Sequence, residues 1–247
     1  MLSHACTTGH LHHGKPKGKI RSIDGISTYY AMPPGGSKEH AILILTDVMG
    51  HKFINNQLLA DNFAANGYFV VMPDLFQGDA VALNRPDDFN ADAWLKNHLP
   101  RHIDPVISTI LQEMNRIGCS KVGAAGYCLG ARYVARFLKP DIFRAGFVAH
   151  PSHMEAEDVL EVEGPLSLAC ADDDTTFTAE RRHQTERLLR QSKKMFQVTL
   201  FSDVAHGFAV RAESGNCQAK FAKEQAFLQA VQWFDYHVKA LNHHGIE

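Results

Sequence analysis

The sequence predicts an α/β protein built on a doubly wound, mostly parallel sheet with helices on both faces, and three observations carry that expectation. Short, nearly all-apolar runs recur along the chain, as strands covered on both faces require. Apolar residues at helical spacing fill the intervals between those runs. No repeat, low-complexity tract or composition break divides the 247 residues, a length that one α/β domain commonly reaches.

In chain order, residues 1–19 are rich in His, Gly, Lys and Thr without periodicity and read as a surface arm, leaving residues 20–247 as the domain. The strand runs are Ala41 to Leu45, Tyr68 to Met72, Val122 to Ala125, Ala145 to Ala149, Leu166 to Ala171 and Phe196 to Phe201. Helical spacing joins Ile54, Leu58, Leu59 and Phe63. It joins Ile103, Val106, Ile107, Ile110, Leu111 and Met114 in the same way, and later Phe227, Val231, Phe234, Val238 and Leu241. The Pro- and Asp-rich stretch from Asn84 to Asn90 reads as a loop or lid.

Composition narrows the function classes. Hydrophobic residues make up 45% and charged residues 21%, and a net charge of -2 gives no electrostatic reason to expect nucleic acid or an anionic membrane. A small-molecule partner fits better. There is no apolar run long enough for a membrane span and no signal-like leader, so a cytoplasmic location is expected. Five cysteines, without CxxC spacing, read as free thiols in a reducing compartment.

The most informative segment is Gly126-Tyr127-Cys128-Leu129-Gly130, set between the apolar run from Val122 and a helical pattern. This is the G-x-S-x-G nucleophile elbow with sulfur in place of oxygen. Small flanking residues let the backbone pass closely through a strained strand-to-helix turn, and the Leu129 amide opens a helix whose N-terminus can stabilise an oxyanion or a thiolate. An inert buried thiol is the bland alternative. In an α/β-hydrolase fold the acid and the histidine follow the nucleophile in chain order. Three aspartates, Asp172, Asp173 and Asp174, follow one apolar run, and His206 follows another. Only one of the aspartates can orient an imidazole, and the others read as a solvated turn.

Together these segments resemble the dienelactone hydrolase family (carboxymethylenebutenolidase-like), in particular its fungal-looking members. The likeness extends over nearly the whole chain, from the Cys6 to Gly18 arm through Leu45-Thr46-Asp47-Val48-Met49-Gly50, Met72-Pro73-Asp74-Leu75-Phe76-Gln77-Gly78-Asp79, the elbow, and His206-Gly207-Phe208-Ala209-Val210-Arg211. The resemblance implies an α/β-hydrolase fold and a Cys128, Asp174 and His206 triad, with Asp174 chosen because Phe177 stands three residues beyond it. It implies that Asp47 approaches the resting thiol, that the amides of Val48 and Leu129 form the oxyanion hole, and that Arg211 or Arg132 binds a substrate carboxylate. His150, at the end of a strand run, stands where such folds line their pockets.

The implied reaction opens a lactone or activated ester through a thioester acyl-enzyme, with no metal or organic cofactor, in a monomer or homodimer. Three other readings stay open: a non-catalytic binding protein, a thiol redox sensor, and a zinc or copper site in the arm built from His4, Cys6, His10, His12 and His13. If the two arginines serve the fold instead, Asp74, Asp79 or Glu213 are the expected partners.

Overall fold

The computed structural model describes residues 3–86 and 88–240. A 3-10 turn, His4–Cys6, precedes β1 (Lys19–Ile23), β2 (Ile26–Ala31), β3 (His40–Leu45), α1 (Ile54–Ala65), β4 (Phe69–Pro73), α2 (Ala91–Lys96) and α3 (Pro100–Arg116). Then come β5 (Lys121–Tyr127), α4 (Gly130–Phe137), β6 (Ala145–Ala149), α5 (Ala156–Leu160), β7 (Leu166–Asp173), α6 (Ala179–Ser192), β8 (Phe196–Ala205), α7 (Phe208–Arg211) and α8 (Cys217–Phe234), which runs into a π-helical turn, Asp235–Ala240.

The strands form one eight-stranded sheet in the order β1-β2-β4-β3-β5-β6-β7-β8. Every pairing from β4 to β8 is parallel, while β1/β2 and β2/β4 are antiparallel, so the sheet is mixed at one edge. All six predicted runs fall on strands, with Tyr68 alone standing one residue ahead of β4. The β1–β2 hairpin has no such run because β1 is exposed at four of its five positions and mixes Lys19, Arg21 and Ser22 with its apolar residues. Helix α8 starts at Cys217, ten residues before the first apolar position of its predicted spacing, because its buried face is largely alanine: Ala222, Ala226 and Ala230. Leu241, the last residue of that pattern, lies outside the described residues.

Alternation along β3 divides the core. Ala41, Leu43 and Leu45 join a cluster with Ile103, Ile107 and Ile110 of α3 and Val134 of α4. Ile42 and Ile44 join one with Leu59 and Phe63 of α1 and Phe234 of α8. Burying each such aliphatic or aromatic side chain contributes roughly 1.5–3 kcal/mol, so helices are held on both faces and strand ends are left for chemistry. Ligands in open α/β sheets bind beyond the carboxyl ends of the strands. Here Asp47 follows β3, Cys128 follows β5, His150 follows β6, Asp174 follows β7 and His206 follows β8. Among the described residues no helix is long and apolar enough to cross a membrane.

Candidate active site

Cys128 sits in the turn between β5 and α4 with φ 51°. That left-handed conformation costs a non-glycine residue about 1–3 kcal/mol and persists only when its surroundings fix it. They do: the Cys128 amide donates to Ala149 O at 3.2 Å, and its carbonyl accepts from Ser152 N at 2.9 Å and Ala131 N at 3.2 Å. Gly130 has to be glycine for a different reason, because a Cβ there would lie 1.9 Å from the carbonyl oxygen of Leu45. The start of α4 is thereby packed onto the end of β3, next to Asp47 and Val48. No hydrogen bond from the Val48 or Leu129 amide is found among the described residues.

The Cys128 sulfur is buried, and His206 Nε2 lies 3.1 Å from it. The other ring nitrogen, Nδ1, faces both carboxylate oxygens of Asp174 at 3.1 and 3.0 Å. Asp174 is itself held, since Oδ1 accepts from the amides of Thr176 and Phe177, each at 2.8 Å. Asp172 and Asp173 are exposed and Asp174 is buried, so the turn orients one carboxylate inward.

The charges follow from burial and partners. Burial opposes charge on His206, but the hydrogen bonds with Asp174 and with the Cys6 sulfur outweigh it and raise the imidazole to about 9. Burial likewise opposes charge on Asp174, yet His206 and the two amides hold its carboxyl below the usual range. Burial pushes the Cys128 thiol well up, and the neighbouring Cys6 sulfur pushes it further. Cys6 is held well below the usual thiol range, against its own burial, chiefly by its hydrogen bond with Cys128 and then by His206.

Sequence reading named Cys6 only as a candidate ligand in the arm and missed its place beside Cys128. Its sulfur, the Cys128 sulfur and a His206 ring nitrogen all lie within 4.8 Å of one another, and Cys6 is fully buried. The arm that brings it there is tied down by Arg211, whose guanidinium donates to the carbonyls of Thr8 at 3.1 Å and Ala5 at 3.2 Å, while His10 N donates to Arg211 O at 3.1 Å. Nothing in the spacing of residues 1–19 signals this contact. The arm-borne metal cluster does not form among the described residues: His12 Nε2 bonds the Ala212 carbonyl and its Nδ1 faces Lys223, each at 2.8 Å, and His4 Nδ1 bonds Thr8.

Asp47 is fully buried, and its carboxylate meets Arg211, the Asn56 side-chain amide at 3.0 Å and the Met49 amide at 3.2 Å. Gly207, with φ 91°, makes room for that arginine, since a Cβ would lie 2.3 Å from a guanidinium nitrogen. Arg132 pairs with Asp158 at 3.0 Å. The arginines thus meet Asp47 and Asp158 rather than Asp74, Asp79 or Glu213. His150 is fully buried and lies edge-on to His206 with centroids 5.1 Å apart; burial, with the charges of His206 and Arg211, keeps it neutral. Beside the centre opens a cleft of about 580 Å³ lined by His4, Thr8, His206, Phe208 and Arg211, among others. A larger cavity of about 790 Å³, near Arg21, Tyr30 and Arg116, contains none of this machinery.

A mixed sheet with a strained cysteine elbow and an Asp–His pair at its carboxyl edge defines the α/β-hydrolase class. The chain belongs to the dienelactone hydrolase family, whose model matches residues 26–238, and it is a hydrolase of ester or lactone bonds. It is 44% identical over 243 residues to hydrolase tropI of Talaromyces stipitatus, covering 95% of this chain and 96% of that one. It is 33% identical to dienlactone hydrolase 1 of Gibberella moniliformis, covering 94% and 92%. Its fold matches the dienelactone hydrolase-like promiscuous phosphotriesterase P91 from metagenomic libraries, with TM-score 0.70, 16% identity and coverage of 90% and 98%.

Proposed function

We propose that the chain opens a lactone or activated ester by nucleophilic catalysis at Cys128, with His206 moving the proton and Asp174 fixing the imidazole tautomer. The observation that carries this reading is the alignment at one ring: Nε2 3.1 Å from the Cys128 sulfur and Nδ1 3.0 Å from Asp174. His206 takes the Cys128 proton through Nε2, giving the thiolate and an imidazolium held by Asp174. The thiolate adds to the acyl carbon, and the oxyanion is bound by the amides of Val48 and Leu129, which have no other use in the turn. Collapse breaks the acyl–oxygen bond and expels an enolate or alkoxide that takes its proton from His206. His206, now neutral, deprotonates water, which hydrolyses the thioester and returns Cys128. A thiol is a better leaving group than most alkoxides, so the reading favours substrates whose own leaving group is stabilised, such as enol lactones.

An anion-binding role for Arg211 is supported by its burial at the cleft, although Asp47 neutralises it at rest. Arg132 has the weaker claim because Asp158 already holds it. A panel of enol lactones, aryl esters and thioesters tests the function. Enol lactones should be hydrolysed with the highest kcat/KM, and Cys128→Ala should hydrolyse none of them. Turnover of the panel by Cys128→Ala would end the reading.

A further inference from the structure

We propose that Cys6, Cys128 and His206 form a binding site for a thiophilic divalent cation of the zinc class, in which the N-terminal arm supplies one of three ligands. Three donors suited to such an ion converge: two sulfurs and an imidazole nitrogen within 4.8 Å of one another, all buried. Tetrahedral zinc with bonds of about 2.3 Å to sulfur and about 2.0 Å to nitrogen needs its donors roughly 3.6–3.8 Å apart. The His206–Cys128 separation of 3.1 Å has to open by about half an ångström to reach that geometry, a movement that rotation of the thiol side chain supplies.

The ligands are also oriented in advance. Asp174 holds Nδ1 of His206 and leaves Nε2 facing the sulfurs, the arrangement by which a carboxylate behind a metal-bound histidine raises its basicity. Cys6 is held from three directions: Ser152 Oγ at 3.8 Å, Thr176 Oγ1 at 4.0 Å, and the arm carbonyls clamped by Arg211.

Charge supports the choice of cation. On binding, each thiol loses a proton and His206 binds as the neutral ring, so a divalent ion with two thiolates is electrically neutral, as a buried centre requires. The other charges facing the centre are Asp174, which stays with His206, and the Arg211–Asp47 pair, which cancels; His150 is neutral. A fourth position is left for water or an exogenous anion, so the site is of the open, three-ligand kind.

A bound ion would tie up the nucleophile and fix the arm over it. That consequence rests on the hydrolase reading above, whereas the binding itself does not. Titration of the fully reduced protein with Co2+, followed by displacement with Zn2+, tests the site. One equivalent should give the visible ligand-field bands of tetrahedral cobalt and a near-ultraviolet sulfur-to-metal band whose intensity corresponds to two thiolates. This spectrum needs no substitution. Cys6→Ser should halve the sulfur band and weaken zinc at least about 100-fold, the upper end of what losing even an outer-shell partner costs. Cys170→Ser and Cys217→Ser should leave both unchanged. A one-thiolate spectrum in the unsubstituted chain would overturn the proposal. So would zinc affinity that survives Cys6→Ser, which would point to the arm histidines. Zinc binding by a protein whose metal-free form turns over no ester would sink the hydrolase reading and leave this one standing.

Discussion

Two buried carboxylates lie beside the elbow, and each holds a cation: Asp174 holds His206, and Asp47 holds Arg211. Side-chain burial is nearly the same, 1% and 0% exposed for the aspartates and 0% and 1% for their partners. The difference lies in the partner. Imidazole can give up its proton near neutral pH, so the first pair can pass charge to a sulfur. Guanidinium cannot, so the second pair is a fixed dipole that clamps the arm carbonyls and the turn after β3. Equal burial thus serves chemistry in one place and architecture in the other, and substitutions should separate the two.

The largest effect should be on turnover. Cys128→Ala and His206→Ala should each lower kcat by about 10⁴-fold or more, and the double variant should be little worse, since members of such a unit do not add. The Tm of Cys128→Ala should change little, whereas His206→Ala also leaves Asp174 buried without its partner and should melt lower. Additive losses in the double variant would mean that the two residues act independently.

Asp174→Asn should lower kcat by up to about 10⁴-fold, as tautomer loss does elsewhere. It should also bring His206 down from about 9, because burial is then opposed by the Cys6 sulfur alone. The ring resonances followed against pH by NMR check this. Asp172→Asn and Asp173→Asn, at exposed positions, should be mild.

On the architectural side, Arg211→Ala leaves Asp47 buried without its cation. Breaking a buried pair costs about 3–5 kcal/mol, so Tm should fall by roughly 6–20 °C for a chain of this size. Replacing both members with apolar residues should recover much of that loss. If Arg211→Ala melts as the parent does, the pair is not structural.

A smaller effect follows from the raised imidazole. His206⁺ stabilises the fold fully below about pH 6.5, its value in an unfolded chain, and that contribution is lost as pH climbs through about 9. Thermal unfolding measured across that window should soften on the alkaline side, less so in Asp174→Asn. Smallest of all should be Arg132→Ala, tested on a lactone carrying a carboxylate and on its methyl ester. With Arg132 committed to Asp158, the ratio of kcat/KM values should stay put, and a large shift would return Arg132 to the substrate.

The two pairs also differ in how far the sequence revealed them. Strands β3 to β8 and the elbow were legible because parallel strands buried on both faces are written as apolar runs, and Gly126 and Gly130 mark a close backbone approach. His206 was legible because it follows such a run, whereas the run before Asp172, Asp173 and Asp174 left the three open and the family resemblance chose Asp174. The Asp47–Arg211 pair spans 164 residues and Cys6 reaches Cys128 from an arm without periodicity, so neither contact is encoded in local spacing. Helix α4 was expected from the elbow itself, whereas the start of α8 hid behind alanines.

The central claim is that the sulfur of Cys128, and not its buried neighbour, carries the acyl group. Rapid mixing of the protein with an enol lactone, acid quench and intact-mass measurement test it directly. The account predicts a species heavier by the whole lactone, formed in a burst matching the enzyme concentration and mapped to Cys128 by peptide analysis. Turnover without any adduct, or an adduct mapped to Cys6, would contradict it.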